Sequence, residues 1–275
     1  MKIIGLIVAI LVGALLIYAA EDFPAWSDPA SPASTYLSPH FIEKTMEETS
    51  VPNIVTAVLA DYRGFDTMFE TTVIFSAGMA VFLLLRTFRR EEPEARHYRH
   101  VLTGVTLRVK EGGELPPSDD FERIDSLWTP HDLIIKTVCR LLIPFIQLFA
   151  LYVIAHGHHS PGGGFQGGVI LGASIILLAI SQDLRTAVKR MAEKLDALLC
   201  AVGVLIYAGT GALCLLLGLN FLDYSALASV LHVDPITARS HGILIVEIGV
   251  GIAVMATIIW IYNNVSSKGK YEQGL

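Results

Sequence analysis

Three short segments hold the residues capable of chemistry. In HGILIVEIGVGIAVM, residues 241–255, Glu247 is the only carboxylate among aliphatic side chains. PNIVTAVLADYRGFDTMFETTVIF, residues 52–75, carries Asp61, Asp66 and Glu70 beside Arg63. HGHHSPGGGFQGG, residues 156–168, sets His156, His158 and His159 ahead of Pro161 and a run of glycines. Carboxylates and imidazoles within apolar sequence are groups that exchange protons or hold a cation.

Each segment also has a plainer use. Glu247 can serve as a structural hydrogen-bonding group to a neighbouring helix, and it lies about 10 Å from the end of its run by helix rise. Asp66 or Thr67 can cap a helix whose first turn favours Glu70 through the dipole. The coincidence of carboxylates with a chain break favours a relay through Glu70 over capping alone. Arg63, between Asp61 and Asp66, suggests local charge pairing. Three histidines in four residues cannot all face one ion without an unusual backbone, and neither HExxH nor CxxC accompanies them, so no metal is assigned. A polar helix end with proton-accepting character is the plainer reading of His156 and His158.

GGGFQG formally matches G-x-G-x-x-G, but a dinucleotide site needs a strand before it and a helix after it in a βαβ unit. Apolar spans lie on both sides here. Gly164, Gly168 and Gly172 are instead spaced by four, which puts them on one helix face and lets a second helix approach closely. Pro161 suits the first turn of that helix. Lys136 and Arg140, four apart near the start of another span, fit snorkelling to the interface, with Lys136 as a secondary candidate for a proton path.

The elements that position these groups are set by composition. The chain has 275 residues, 53% hydrophobic and only 17% charged, with mean hydropathy +0.55. Soluble domains carry about 25% charged residues, so lipid is part of the solvent. A net charge of -6 gives no footing for nucleic acid. Cys139, Cys200 and Cys214 fall in apolar runs and read as small core residues.

Six runs are long enough to span, at 3–20, 66–86, 133–155, 165–181, 197–219 and 241–262. The expected fold is therefore an all-α integral membrane bundle of about six helices. The first run exceeds the 7–15 residue core of a secretory signal and reads as a retained helix. Placing the N-terminus in the cytoplasm puts all Lys and Arg on that side except Lys44, Arg63 and Arg239, so both termini are expected to be cytoplasmic. Residues 52–85 would rise about 51 Å as one helix, so a break is expected near 61–66. The organisation that follows is a two-helix part (1–88), a cytoplasmic connector (89–130), a four-helix part (131–265) and a tail (266–275). Within the connector, 105–109 alternates like a strand, followed by Gly112-Gly113 and Pro116-Pro117.

HGHHSPGGGFQGGVILGASIILLAI and HGILIVEIGVGIAVM resemble the signature segments of the B subunit of Mrp-type multisubunit sodium/proton antiporters, over roughly 131–265. NIVTAVLADYRGFDTMFETTVIF resembles the C-terminal end of the large Mrp A subunit. That segment stands as its own small subunit in membrane-bound hydrogenases. The fusion of the two departs from the usual Mrp arrangement. The resemblance implies a non-catalytic subunit of the inner membrane, in the sodium-translocating part of a larger complex. That complex would be a stand-alone antiporter or one coupled to a redox arm of the hydrogenase or sulfane-reductase kind. It implies other membrane subunits, Na⁺ and H⁺ as partners, with no cofactor. By motif position, Asp61, Asp66 and Glu70 match the A-tail segment. His156, Pro161 and the glycines match the B segment, and Glu247 matches its final helix.

Overall fold

Side-chain caps at Asn53, Asp183 and Asp234 open three of the helices, while those that start at Gly164 and Glu193 begin without one. The structure, a computed structural model, describes residues 2–87, 96–109, 115, 118–124, 133–267 and 269. It separates into two units, 1–45 and 46–275. In the first, helix α1 (Lys2–Ala20) is apolar around its whole circumference, with Ile3, Leu15 and Ile17 exposed. The Pro- and Ser-rich segment then forms turns, one closed by Asp28 accepting from Ala30 N at 2.9 Å. A π turn (Ala33–Leu37) leads into α2 (Ser38–Thr49).

The second unit opens with a one-turn helix α3 (Ile54–Ala57), which runs into a π turn (Val58–Tyr62) before α4 (Gly64–Thr87). After the connector come α5 (Leu133–Ala155), α6 (Gly164–Ser181), α7 (Leu184–Arg190) and α8 (Glu193–Leu216). A 3₁₀ turn (Tyr224–Leu227), α9 (Ala228–Leu231) and the 32-residue α10 (Pro235–Ser266) complete it. Among the described residues, six helices are long and apolar enough to cross a membrane: α1, α4, α5, α6, α8 and α10. They coincide with the six expected spans. The chain is a multi-pass helical membrane protein.

The differences lie at the ends. α10 starts six residues before the apolar run because Asp234 accepts from Thr237 N at 2.9 Å and from its hydroxyl at 2.7 Å, with Pro235 at the first position. α8 starts at Glu193, with Glu193 and Asp196 in the dipole-favoured first turn. α6 starts at Gly164 with Gly163 at its cap, so Pro161 precedes the helix rather than occupying its first turn. The break in 52–85 falls at Arg63 (φ -120°). Because α4 already starts at Gly64, Asp66 lies within its first turn and neither Asp66 nor Thr67 caps it.

α10 is the central helix, and small residues give it two thin faces. On one, a Cβ at Gly203 of α8 would lie 2.6 Å from the Gly249 carbonyl. On the other, a Cβ at Gly168 of α6 would lie 2.6 Å from the Gly251 carbonyl. Buried Ile243, Val246, Val250 and Val254 of α10 fill the core with Tyr207 and Tyr224. Cys200 and Cys214 are buried and all three cysteines are free thiols.

The connector contributes a small antiparallel sheet of order β2-β1-β3, built from β1 (Arg96–His100), β2 (Thr106–Val109) and β3 (Phe121–Ile124). The expected alternating run is β2, which pairs Leu107 with Tyr98 and Arg108 with His97. Gly104, at φ +70°, turns β1 into β2. Gly112-Gly113, Pro116-Pro117 and most of the 266–275 tail lie outside the described residues.

Candidate functional site

The broken helix and the histidine-glycine loop are tied together by one side chain. Asn53 caps α3, accepting from Val55 N at 3.1 Å. Its amide donates to the carbonyls of Gly157 and Ser160 at 2.8 and 2.9 Å, and its own N–H donates to His158 O at 2.9 Å. Thr56 adds a hydroxyl bond to Gly157 O at 2.9 Å. Interrupting a helix strands backbone carbonyls, and in lipid each must find a donor. Tyr224 OH supplies Ala60 O at 2.9 Å, and Tyr207 OH adds a second bond to Gly64 O, the first carbonyl of α4, also at 2.9 Å. Thr67 supplies Leu59 O at 2.9 Å.

On the far side of this break lies Glu247. It is 9% exposed and projects from α10 against the start of α6, with Gly157 and Gly163 packed on its carboxylate. Oε2 is buried with no hydrogen-bond partner among the described residues. The glycines follow from this placement. A Cβ at Gly157 would lie 2.6 Å from Oε2, and one at Gly163 would collide with Oε1. A Cβ at Gly164 would collide with the Glu247 carbonyl. Gly162 takes φ +110°, a left-handed backbone that side chains rarely adopt. Gly164, Gly168 and Gly172 all face α10, Gly172 against Ile258.

A cavity of about 430 Å³ opens between the break and the loop. Glu247 and Glu70 both line it, with Asn53, Thr56, Thr67, Gln166 and Tyr207 as its other polar side chains. Pro161 and Gly162–Gly164 line it as well. Asp61 stands just beside it, 6% exposed and paired with Arg239 Nε at 2.8 Å. The guanidinium also sits over the Tyr62 ring, 5.7 Å from its centroid. Tyr62 OH donates to Glu48 at 2.5 Å. Burial pushes the Asp61 carboxyl above its ordinary range, while Arg239 pulls it back.

The expected local pairing is thus half of what forms: Arg63 pairs with Asp66, while Asp61 reaches across to α10. Asp66 and Lys136 do not line the cavity. His156 stacks on Tyr152 with centroids 4.2 Å apart and does not line the cavity. His158 keeps Nε2 buried without a partner among the described residues. Burial, reinforced by His159 and His241, holds its imidazole below the ordinary value. Sequence reasoning missed Asn53, Tyr207, Tyr224 and the role of Arg239, since each acts on a segment remote in sequence.

Residues 134–260 match the family model of domains related to the MnhB subunit of Na⁺/H⁺ antiporters. Over 135 residues the chain is 31% identical to the putative antiporter subunit mnhB2 of Staphylococcus epidermidis, covering 94% of that protein and 46% of this chain. The chain belongs to the MnhB family. Ahead of the MnhB-related domain, residues 2–98 match the model of the E subunit of MBH. The A/B subunit of a probable K⁺/H⁺ antiporter from Rhizobium meliloti is 26% identical over 208 residues, 74% of this chain and 19% of that protein. In fold, the chain is similar to one from the archaeal membrane-bound sulfane sulfur reductase complex. The TM-score is 0.60 at 22% identity, with 96% of this chain and 97% of that chain covered. The cavity lies where the MnhB-related domain and the MBH-related segment meet, each supplying one of its two glutamates.

Proposed function

We propose that this chain is a non-catalytic membrane subunit of an Mrp-type cation/proton antiporter or a redox-coupled relative, in which Glu70 and Glu247 carry protons or a cation through the shared cavity. The observation that carries this reading is that two carboxylates, one from each family segment, line a single cavity, and that one oxygen of Glu247 is buried without a partner among the described residues. A carboxylate in that position gains from taking a proton or a cation in turn. The partners are the complex's other membrane subunits, Na⁺ and H⁺, and both termini lie in the cytoplasm. The domains divide at 1–88, 89–130, 131–265 and 266–275.

The test is cation-dependent proton exchange in vesicles containing the assembled complex, read with Na⁺ and with K⁺. Glu70→Gln and Glu247→Gln are expected to assemble normally and to lower exchange. Normal exchange in both variants would remove the relay. A second reading, in which the chain is a scaffold holding neighbouring subunits, draws on the glycine-faced contact of α6 with α10. It expects the glutamate variants to be silent and Gly168→Leu to abolish assembly.

A further inference from the structure

We propose that the cleft between α5, α6 and α7, at the opposite end of α6 from Glu247, binds the phosphate of an anionic phospholipid headgroup. The cleft has a volume of about 470 Å³ and is lined by Arg140 of α5, Gln182 at the end of α6 and Arg190 of α7. Neither guanidinium has an ion-pair or hydrogen-bond partner among the described residues. Two arginine forks converging on one volume match the geometry of a phosphate, which accepts paired N–H bonds.

The rest of the cleft is built around them. Pro144 lacks the N–H that would close on the Arg140 carbonyl, so α5 is weakened at this level. Gln147 closes the inner end by donating to Ser174 on α6 at 3.1 Å. α7 is a short surface helix, fixed by buried Leu184 and Ala187, with Lys189 and Arg190 exposed. Arg185, Lys189, Arg190 and Lys194 make 182–196 one of the most basic stretches of the chain. Basic pockets between membrane helices at such an end are where acidic headgroups bind.

The apolar surface beside the cleft selects a lipid over a soluble anion. Leu141 and Phe145, on α5 next to Arg140 and Pro144, are 65% and 62% exposed. They give acyl chains a surface leading away from the phosphate. A free phosphate has no use for that surface.

The test uses the purified complex with its companion subunits, exchanged into detergent and titrated with phosphatidylglycerol, phosphatidylcholine or inorganic phosphate under native mass spectrometry. The wild type is expected to retain phosphatidylglycerol and not phosphatidylcholine. Arg140→Gln with Arg190→Gln should weaken that retention about tenfold or more, since two charge-assisted contacts are lost. Equal retention by this variant, or equal binding of phosphatidylcholine, would overturn the proposal. So would full displacement by inorganic phosphate at matched concentration, which marks a soluble-anion site. Where the double variant does not assemble, a photoactivatable phosphatidylglycerol on the wild type decides. Labelling of α5 and α7 peptides supports the site, and labelling confined elsewhere overturns it.

Discussion

Gly168 of α6 lies against Gly251 of α10 so closely that a Cβ on the former would stand 2.6 Å from the latter's carbonyl oxygen. Two membrane helices touch here through backbone alone, without an apolar side chain between them. Such contacts are held by dispersion and weak polar interactions, because lipid gives no hydrophobic reason for helices to meet.

Replacing Gly168 with Leu forces those helices apart. The expected cost is roughly 1–3 kcal/mol or more, as for other overpacked sites. It should appear as loss of the assembled complex on a native gel. Gly209, with nothing within 4 Å of its Cβ position, is the matched control, and Gly209→Ala should assemble normally.

Tyr224→Phe removes the donor to the Ala60 carbonyl while keeping the ring that fills the core. Leaving a buried carbonyl unpaired costs about 1–3 kcal/mol. The thermal midpoint of the purified complex should fall. Tyr207→Phe, which removes only a second bond to the Gly64 carbonyl at the start of α4, should lower it less.

Asn53→Ala removes a helix cap and two ties to the glycine loop at once. The expected loss is roughly 2–4 kcal/mol of local stability. Because Asn53 also lines the glutamate cavity, cation exchange in vesicles should fall with both carboxylates intact. Unchanged exchange would separate the loop from the ion path.

His158 gives a pH dependence of definite sign. Its imidazole is held below the ordinary value by burial, so the fold favours the neutral ring. The stability it contributes is present above the unfolded value near 6.5 and is lost as pH falls through the depressed folded value. Melting midpoints measured between about pH 8 and pH 5 should drop towards acid in the wild type. In His158→Gln that component of the drop should be missing.

The membrane helices were legible because transfer into lipid depends on local hydropathy, which a window of sequence measures directly. The break near Arg63 was legible for a related reason: a rod too long for the bilayer must bend, and the charged residues that tolerate a bend are clustered there. Pairings were not. Asp61 has Arg63 two residues away, yet it bonds Arg239 on α10, since local spacing says nothing about which remote helix comes alongside. For the same reason Glu70 and Glu247 each stood out as ionisable groups, while their shared cavity did not. Pro161 was placed in the wrong turn because Gly163 and Gly164, pressed against Glu247, fix where α6 begins.

The last helix, α10, has 32 residues and therefore runs about 48 Å, against a hydrocarbon layer of about 30 Å. Accommodating all of it within lipid would need a lean beyond the roughly 40° seen in membrane helices. Its extremities therefore reach beyond the hydrocarbon layer, and one uninterrupted helix joins the two sides past Glu247. No break like the one at Arg63 interrupts it, so Pro235 and Ser266 belong to one continuous hydrogen-bonded rod.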